Sequence, residues 1–203
     1  MAKGAKKVSS SNLASCQYLV YSEFVLFKGT NFYHVNSTSV ISTFYKLRTN
    51  FDKLSNVFEL TKLLCTVTAE HIETKEVLVL FLNTLFIFEK VDKLYIMDIF
   101  KIRLLKLLGF APDVIKCNKC GINLKDNKKS VSYNYMYNFF ICSECLKDNN
   151  NIYYDISYKV FMNIIYIMYS KEENIFGMKL DDICAKQIKK FSDNFVNCVM
   201  SNF

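Results

Sequence analysis

Two Cys-x-x-Cys pairs constrain this chain more than any other feature. They are Cys117-Asn118-Lys119-Cys120 and Cys142-Ser143-Glu144-Cys145, with 21 residues between them. That spacing is the spacing of a four-thiolate zinc site. Two intervening residues let a tight turn bring both sulfurs of a pair onto one side, so each pair can grip the same ion. Gly121 follows the first pair, where such a turn often requires a positive φ. Between the pairs, Val131, Tyr133, Tyr135, Tyr137, Phe139 and Ile141 alternate loosely, as in a small β-hairpin. Paired disulfides, or unligated thiols in a core, are the competing readings. Four thiolates from Cys117, Cys120, Cys142 and Cys145 would close the coordination shell and leave no position for water. One zinc ion of structural role is therefore expected.

The chain has 203 residues, of which 51% are hydrophobic. That is enough for one large domain or two small ones with a sizeable core. Beyond the two pairs, Cys16, Cys65, Cys184 and Cys198 stand in apolar surroundings and read as small core hydrophobes. Scattered cysteines of this kind point to a reducing compartment. Lysines and serines rather than an apolar run follow Met1, and Val77–Leu82 and Ile164–Tyr169 are too short to span a bilayer. The expectation is a soluble, cytoplasmic protein with no membrane partner. Twenty-six basic against 19 acidic residues give a formal charge of +7, a weak pointer to an anionic partner. Asn, Ile, Tyr and Lys are all abundant, as an AT-rich genome would produce, and this discounts the lysine excess.

Residues 1–15 are basic and polar, either a solvated tail or a phosphate-contacting arm. Residues 16–41 read as two strands around the turn Lys28-Gly29-Thr30-Asn31. From about Ser42 the period becomes helical, with a stripe through Leu54, Val57, Phe58, Leu60, Leu63, Leu64 and Val67. A helix near 74–89 is apolar around most of its surface and is expected at the centre of a bundle. Another, over about 91–108, stops at Gly109-Phe110-Ala111-Pro112. After the cysteine lobe, helices are predicted at about 157–169 and 180–201. Strands, helices and a metal lobe in that order make an α+β chain with a mostly helical body.

Several stretches, in order, resemble the RecO family of bacterial recombination and repair proteins. Ala2-Lys3-Gly4-Ala5-Lys6-Lys7 resembles the family's basic segment at the end of its third strand. Tyr21-Ser22-Glu23-Phe24-Val25-Leu26-Phe27-Lys28-Gly29 and the strand after it resemble the last two strands of its OB barrel. Phe44-Tyr45-Lys46-Leu47-Arg48 with Asp52-Lys53-Leu54 resembles its first helical junction. Phe100-Lys101-Ile102-Arg103-Leu104-Leu105 with Leu108-Gly109-Phe110-Ala111-Pro112 resembles the helix that leads into the metal site. The resemblance implies incomplete N-terminal OB-fold strands over 1–42, then a helical domain over 43–203 with an inserted four-cysteine zinc lobe at about 113–148. Family members carry two full strands and most of a third ahead of the basic segment, whereas this chain begins inside the third. Either the true start lies upstream and supplies those strands, or the chain is truncated, in which case the barrel is open with an unpaired strand edge.

The resemblance also implies a role in binding and annealing single-stranded DNA and in helping load the recombinase RecA, at the nucleoid. The implied partners are RecR and the acidic, Phe-ended tail of the single-stranded DNA-binding protein. Lys3, Lys6, Lys7 and Lys28 are the candidate phosphate contacts. Lys101, Arg103 and Lys106 form a basic stripe with no acid between Ile99 and Pro112, suited to an acidic peptide, although a solvated helix face is the simpler reading. Catalysis finds little support. His34 and His71 read as surface residues, and no Gly-rich phosphate loop, HExxH or GxSxG is present. Asp181-Asp182 stand where carboxylates complement a helix start. A non-enzyme is expected. The alternative to a DNA mediator is a protein-interaction scaffold that docks RecR or the coating protein and binds DNA poorly.

Overall fold

The computed structural model describes residues 12–68, 75–146 and 152–201. The chain divides into two compact units, residues up to Glu59 and residues from Leu60 onward. In the first, β1 (Tyr21–Lys28) and β2 (Tyr33–Ser42) pair antiparallel, which bears out the expected strand pair. The Gly29 N–H donates to the Phe32 carbonyl at 2.9 Å to close the turn. Register shifts at Tyr21/Ser22 and Val25/Leu26 leave Ile41 and Asn36 as extra residues on β2, and such bulges increase the twist of a ribbon. Phe24 and Leu26 alternate with Val25 and Phe27, yet all four are exposed, so apolar side chains stand open on both faces. A single helical turn, α1 (Tyr45–Arg48), comes next. It leads into the longer α2 (Phe51–Val67), where the Lys53 N–H is accepted by the Asn50 side chain at 3.0 Å. Tyr18 stacks on Phe58 with ring centroids 4.6 Å apart.

The second unit contains α3 (Lys75–Lys90), α4 (Tyr95–Leu107), α5 (Tyr158–Tyr169), α6 (Glu172–Ile175) and α7 (Asp182–Met200). The central helix is α4 rather than α3. Ile96, Met97, Ile99, Phe100, Ile102, Leu104 and Leu105 are all buried, and α4 packs against α3, α5 and α7. On α3 only Val77, Leu80, Thr84, Leu85 and Phe88 are buried, while Leu78, Val79 and Phe86 face outward. Hydropathy around the helix misplaced the centre because the charged residues of α4 are paired internally. The stop signal after α4 works as expected. Gly109 takes φ +89°, the Phe110 N–H reaches the Leu105 carbonyl at 2.9 Å, and the Gly109 N–H reaches the Lys106 carbonyl at 3.1 Å. This is the Schellman arrangement, which satisfies carbonyls left over at a helix end.

The hairpin between the cysteine pairs is present as β3 (Val131–Asn134) and β4 (Phe139–Cys142). It belongs to a three-stranded sheet ordered β4-β3-β5, in which β5 (Tyr153–Ile156) pairs antiparallel with the far side of β3. No clear local pattern marks β5, a four-residue strand beside an asparagine-rich stretch. As the middle strand, β3 is buried at every residue. The Asn134 side chain accepts from the Met136 and Tyr137 N–H groups at 3.0 and 2.9 Å to shape the hairpin turn. Asn138 then enters the left-handed region with φ +55°.

One face of this sheet joins the helices through aromatic rings. Tyr133 meets Phe191 at 4.8 Å, and Phe140 meets Phe161 at 5.2 Å and Phe191 at 5.8 Å. Side chains cap the starts of α5 and α7. Ser157 accepts from the Val160 N–H at the start of α5, and Asp181 accepts from the Cys184 N–H at 2.7 Å at the start of α7. Cys184 and Cys198 are buried, as their surroundings suggest, but Cys16 and Cys65 are exposed. Cys16 sits in a turn, and Cys65 lies off the buried stripe of α2 that runs through Val57, Leu60 and Val67. Among the described residues no helix is long and apolar enough to cross a membrane.

Because Phe191 touches both strands of the hairpin, Phe191→Ala should lower unfolding free energy by about 3–5 kcal/mol. Phe51→Ala, at an 82% exposed position, should stay within about 0.5 kcal/mol of the parent. Urea unfolding followed by circular dichroism checks both values.

Candidate metal centre and basic positions

The first cysteine pair sits on a tight loop inside a short antiparallel segment. Lys116 bridges to Asn123, and the Leu124 N–H donates to the Ile115 carbonyl at 2.8 Å. Within it, the Cys117 N–H reaches the Ile122 carbonyl at 2.8 Å and the Gly121 N–H returns to that of Cys117 at 2.9 Å. Gly121 takes φ +75°, the conformation its place after the pair predicts. The second pair begins on the last residue of β4 and continues through a single 3-10 turn, Ser143–Cys145. The first loop is tied to β4 by the Asn118 N–H donating to the Phe140 carbonyl at 3.0 Å. The Cys142 N–H donates to the Cys117 sulfur at 3.3 Å.

These constraints bring all four Sγ atoms within 4.8 Å of one another, with Cys120 and Cys142 at 3.7 Å. A tetrahedral ion with metal–sulfur bonds of about 2.3 Å places its sulfurs about 3.8 Å apart. The cluster therefore fits one tetrahedral ion. Two ligands are buried, Cys117 at 3% and Cys142 at 2% exposure, whereas Cys145 is half-buried and Cys120 exposed.

The thiols are unequal. Burial opposes ionisation of Cys117, but backbone N–H groups of Cys120, Cys142 and Lys119 outweigh it and lower the thiol to about 6. Burial pushes Cys142 up. The adjacent sulfurs of Cys120 and Cys142 push Cys145 up to about 12. Four thiolates this close repel one another, so a cation must displace protons to bind, and its affinity falls as the pH falls.

The basic positions fare differently. Lys3, Lys6, Lys7 and His71 lie outside the described residues. Lys28 ends β1 and is exposed beside the turn; His34 is half-buried on β2. The stripe on α4 is neither a solvated face nor a row of open cations. Lys101, 16% exposed, donates to Asp193 at 2.9 Å and lies 3.9 Å from buried Asp98. Asp98 in turn accepts from Ser192 at 2.6 Å. Arg103 donates to the carbonyls of Ile167 and Met168, capping the end of α5. Lys106 is the most available of the three, with its ammonium 5.6 Å from the Tyr169 ring centre. Asp98 with Lys101 is an i, i+3 pair that a helix reading could find, but Ser192 and Asp193 are far along the chain and left no local signal.

Sequence reading also missed a groove on this unit. Its volume is about 540 Å³, and Lys75, Glu76, Val79, Arg103, Lys106 and Glu172 are among its lining residues. Glu172 also accepts from the Asn83 side chain at 2.6 Å.

The metal reading has a direct check. Protein purified without chelator should carry one divalent ion per chain by elemental analysis. Cobalt substitution should give the absorption of a tetrahedral thiolate site. Cys142→Ser should release the ion and lower the melting temperature, because that ligand ends a core strand. Acidification should release the ion from the parent protein.

Comparison with known proteins identifies the family. Residues 48–199 match the family described as "Recombination protein O C terminal". A protein named "DNA repair protein RecO" from Acetivibrio thermocellus is 35% identical over 97% of this chain and 77% of its own length. The protein of the same name from Caldicellulosiruptor saccharolyticus is 25% identical over 98% of this chain and 80% of its own. That from Alkaliphilus metalliredigens is 32% identical over 71% of this chain and 58% of its own. With a family match over most of the chain and a relative at this identity along nearly all of it, the chain belongs to the RecO family.

Proposed function

We propose that this chain works in DNA repair and recombination as a non-enzymatic mediator. It binds and anneals single-stranded DNA and helps load RecA, in concert with RecR and the single-stranded DNA-binding protein. Membership of the RecO family carries this reading. In it, β1 and β2 are the last strands of an OB barrel, and Lys28, with Lys3, Lys6 and Lys7, contacts phosphates. The cysteine cluster holds one structural zinc ion.

The acidic tail of the coating protein would lie in the groove beside Lys106. Lys75 and Lys106 offer charge for its carboxylates, and Val79 and Leu107 offer apolar surface for its terminal Phe. Glu76 and Glu172 in the same groove oppose an acidic peptide on their side and favour the lysine side. One observation favours the scaffold alternative. Lys28 is the only Lys or Arg on β1 and β2, while the ribbon exposes Phe24, Val25, Leu26 and Phe27. Such a surface suits a protein partner better than a phosphate backbone.

A salt titration of fluorescent oligothymidine binding separates these readings. Each phosphate contact to a single strand contributes about 0.7 to the slope of log K against log salt, so four lysines give a slope of about −3. Lys28→Glu should weaken binding and flatten the slope. Absence of binding at low salt, with retained binding of an acidic peptide ending in Phe, would favour the scaffold.

For the peptide arm, Lys106→Glu is the informative variant and should weaken binding. Lys101→Glu should instead lose on the order of 1–3 kcal/mol of stability, because it adds a carboxylate beside Asp98 and Asp193. Calorimetric melting of both variants verifies the distinction.

A further inference from the structure

The four cysteines differ in access, and the most accessible one has a sulfur partner across the cluster. Cys120 is exposed, while Cys117 and Cys142 are buried. A small oxidant in solvent therefore meets Cys120 before the buried ligands. The Cys142 sulfur lies 3.7 Å from that of Cys120 and belongs to the other Cys-x-x-Cys pair. Cys142 is also the last residue of β4, two positions after Phe140, whose ring packs on Phe161 and Phe191.

We propose that Cys120 and Cys142 form an oxidation site for hydrogen peroxide, and that their disulfide releases the metal and loosens the sheet from the helices. The proposal rests on the reading of the cluster as a metal site. In the first step the Cys120 thiolate attacks one peroxide oxygen. The O–O bond breaks, a sulfenic acid forms and hydroxide leaves. In the second step the Cys142 thiolate attacks the Cys120 sulfur, the S–O bond breaks, and a second hydroxide leaves as the disulfide forms. Two thiolates have given two electrons to peroxide, and two protons from solvent convert the hydroxides to water. Cys117 and Cys145 then hold the ion with half of the original ligand set.

The consequence reaches the core through Cys142. A disulfide bond is much shorter than the present sulfur separation, so the two sulfurs must close on each other, which draws on side-chain rotation and on the backbone of the Cys120 loop and the end of β4. The Asn118–Phe140 hydrogen bond and the Phe140 ring lie directly behind that movement.

The test uses the full chain with Cys16→Ser and Cys65→Ser, which removes the two exposed thiols outside the cluster. Metal content is measured first. Graded hydrogen peroxide is then added, with metal release followed by a chromogenic chelator, disulfides mapped by peptide mass spectrometry, and melting temperature recorded. The expected result is one ion released for two thiols lost, a linked peptide pair containing Cys120 and Cys142, a lower melting temperature, and reversal by dithiothreitol with added zinc. Cys120→His retains a ligand of a kind zinc accepts and removes the reactive thiol, so release should slow at least about tenfold. Metal retained under peroxide, a disulfide confined to Cys117–Cys120 or Cys142–Cys145, or equally fast release from Cys120→His would overturn the proposal and leave the metal reading intact. A parent chain purified without metal would overturn both.

Discussion

In the second unit, the contact of Phe140 with Phe161 and Phe191 ties the small sheet to the helices. It joins three parts: a small sheet, helix α5 and helix α7. The sheet has three strands of only four residues, and packing against helices supplies the buried face that so small a sheet needs. Docked on two helices, it becomes a wall of the common core, and its middle strand is buried at every residue. The cysteine cluster stands at the end of the strand that carries Phe140. Binding an ion there would therefore stiffen more than the loops that supply the sulfurs.

The second organising element is α4, and its burial depends on its polar groups being matched. Asp98 is pushed up by its burial, against the opposing influence of the Ser192 hydroxyl and Lys101. Lys101 also bridges to Asp193, which Lys189 holds from the other side at 2.8 Å. Arg103 turns its Nη1 group to the free carbonyls at the end of α5, while its buried Nε has no hydrogen-bond partner. A helix carrying these charges can run through a core because each is answered by a neighbouring element. Removing one partner would leave the other buried and unpaired. The same pairing explains why a basic stripe in sequence leaves little positive charge on the surface.

Hydropathy and burial diverge in both units for related reasons. On α3, Leu78, Val79 and Phe86 remain at the surface, since the helix has core neighbours on only part of its circumference. On β1, adjacent residues of both parities are exposed, because a two-stranded ribbon covers neither of its faces. These exposed side chains leave apolar area in contact with water on both units.

Features governed by neighbours along the chain were legible from the residues alone. The Cys-x-x-Cys spacing, the Gly121 turn, the β1–β2 turn, the Gly109 helix stop and the Asp181 cap belong here, because each is closed by hydrogen bonds over a few residues. Packing settled a different set: which helix lies at the centre, that β5 completes the sheet, and that Cys65 stands outside while Cys184 is buried. It also decided that Lys101 pairs with Asp193 and that Arg103 donates to the end of α5. Those outcomes rest on Asp193, Ser192, Ile167 and Tyr133, residues remote in sequence from the groups they satisfy. Local patterns record how a segment prefers to fold. They do not record which side chain from elsewhere arrives to neutralise a charge or cover an apolar face.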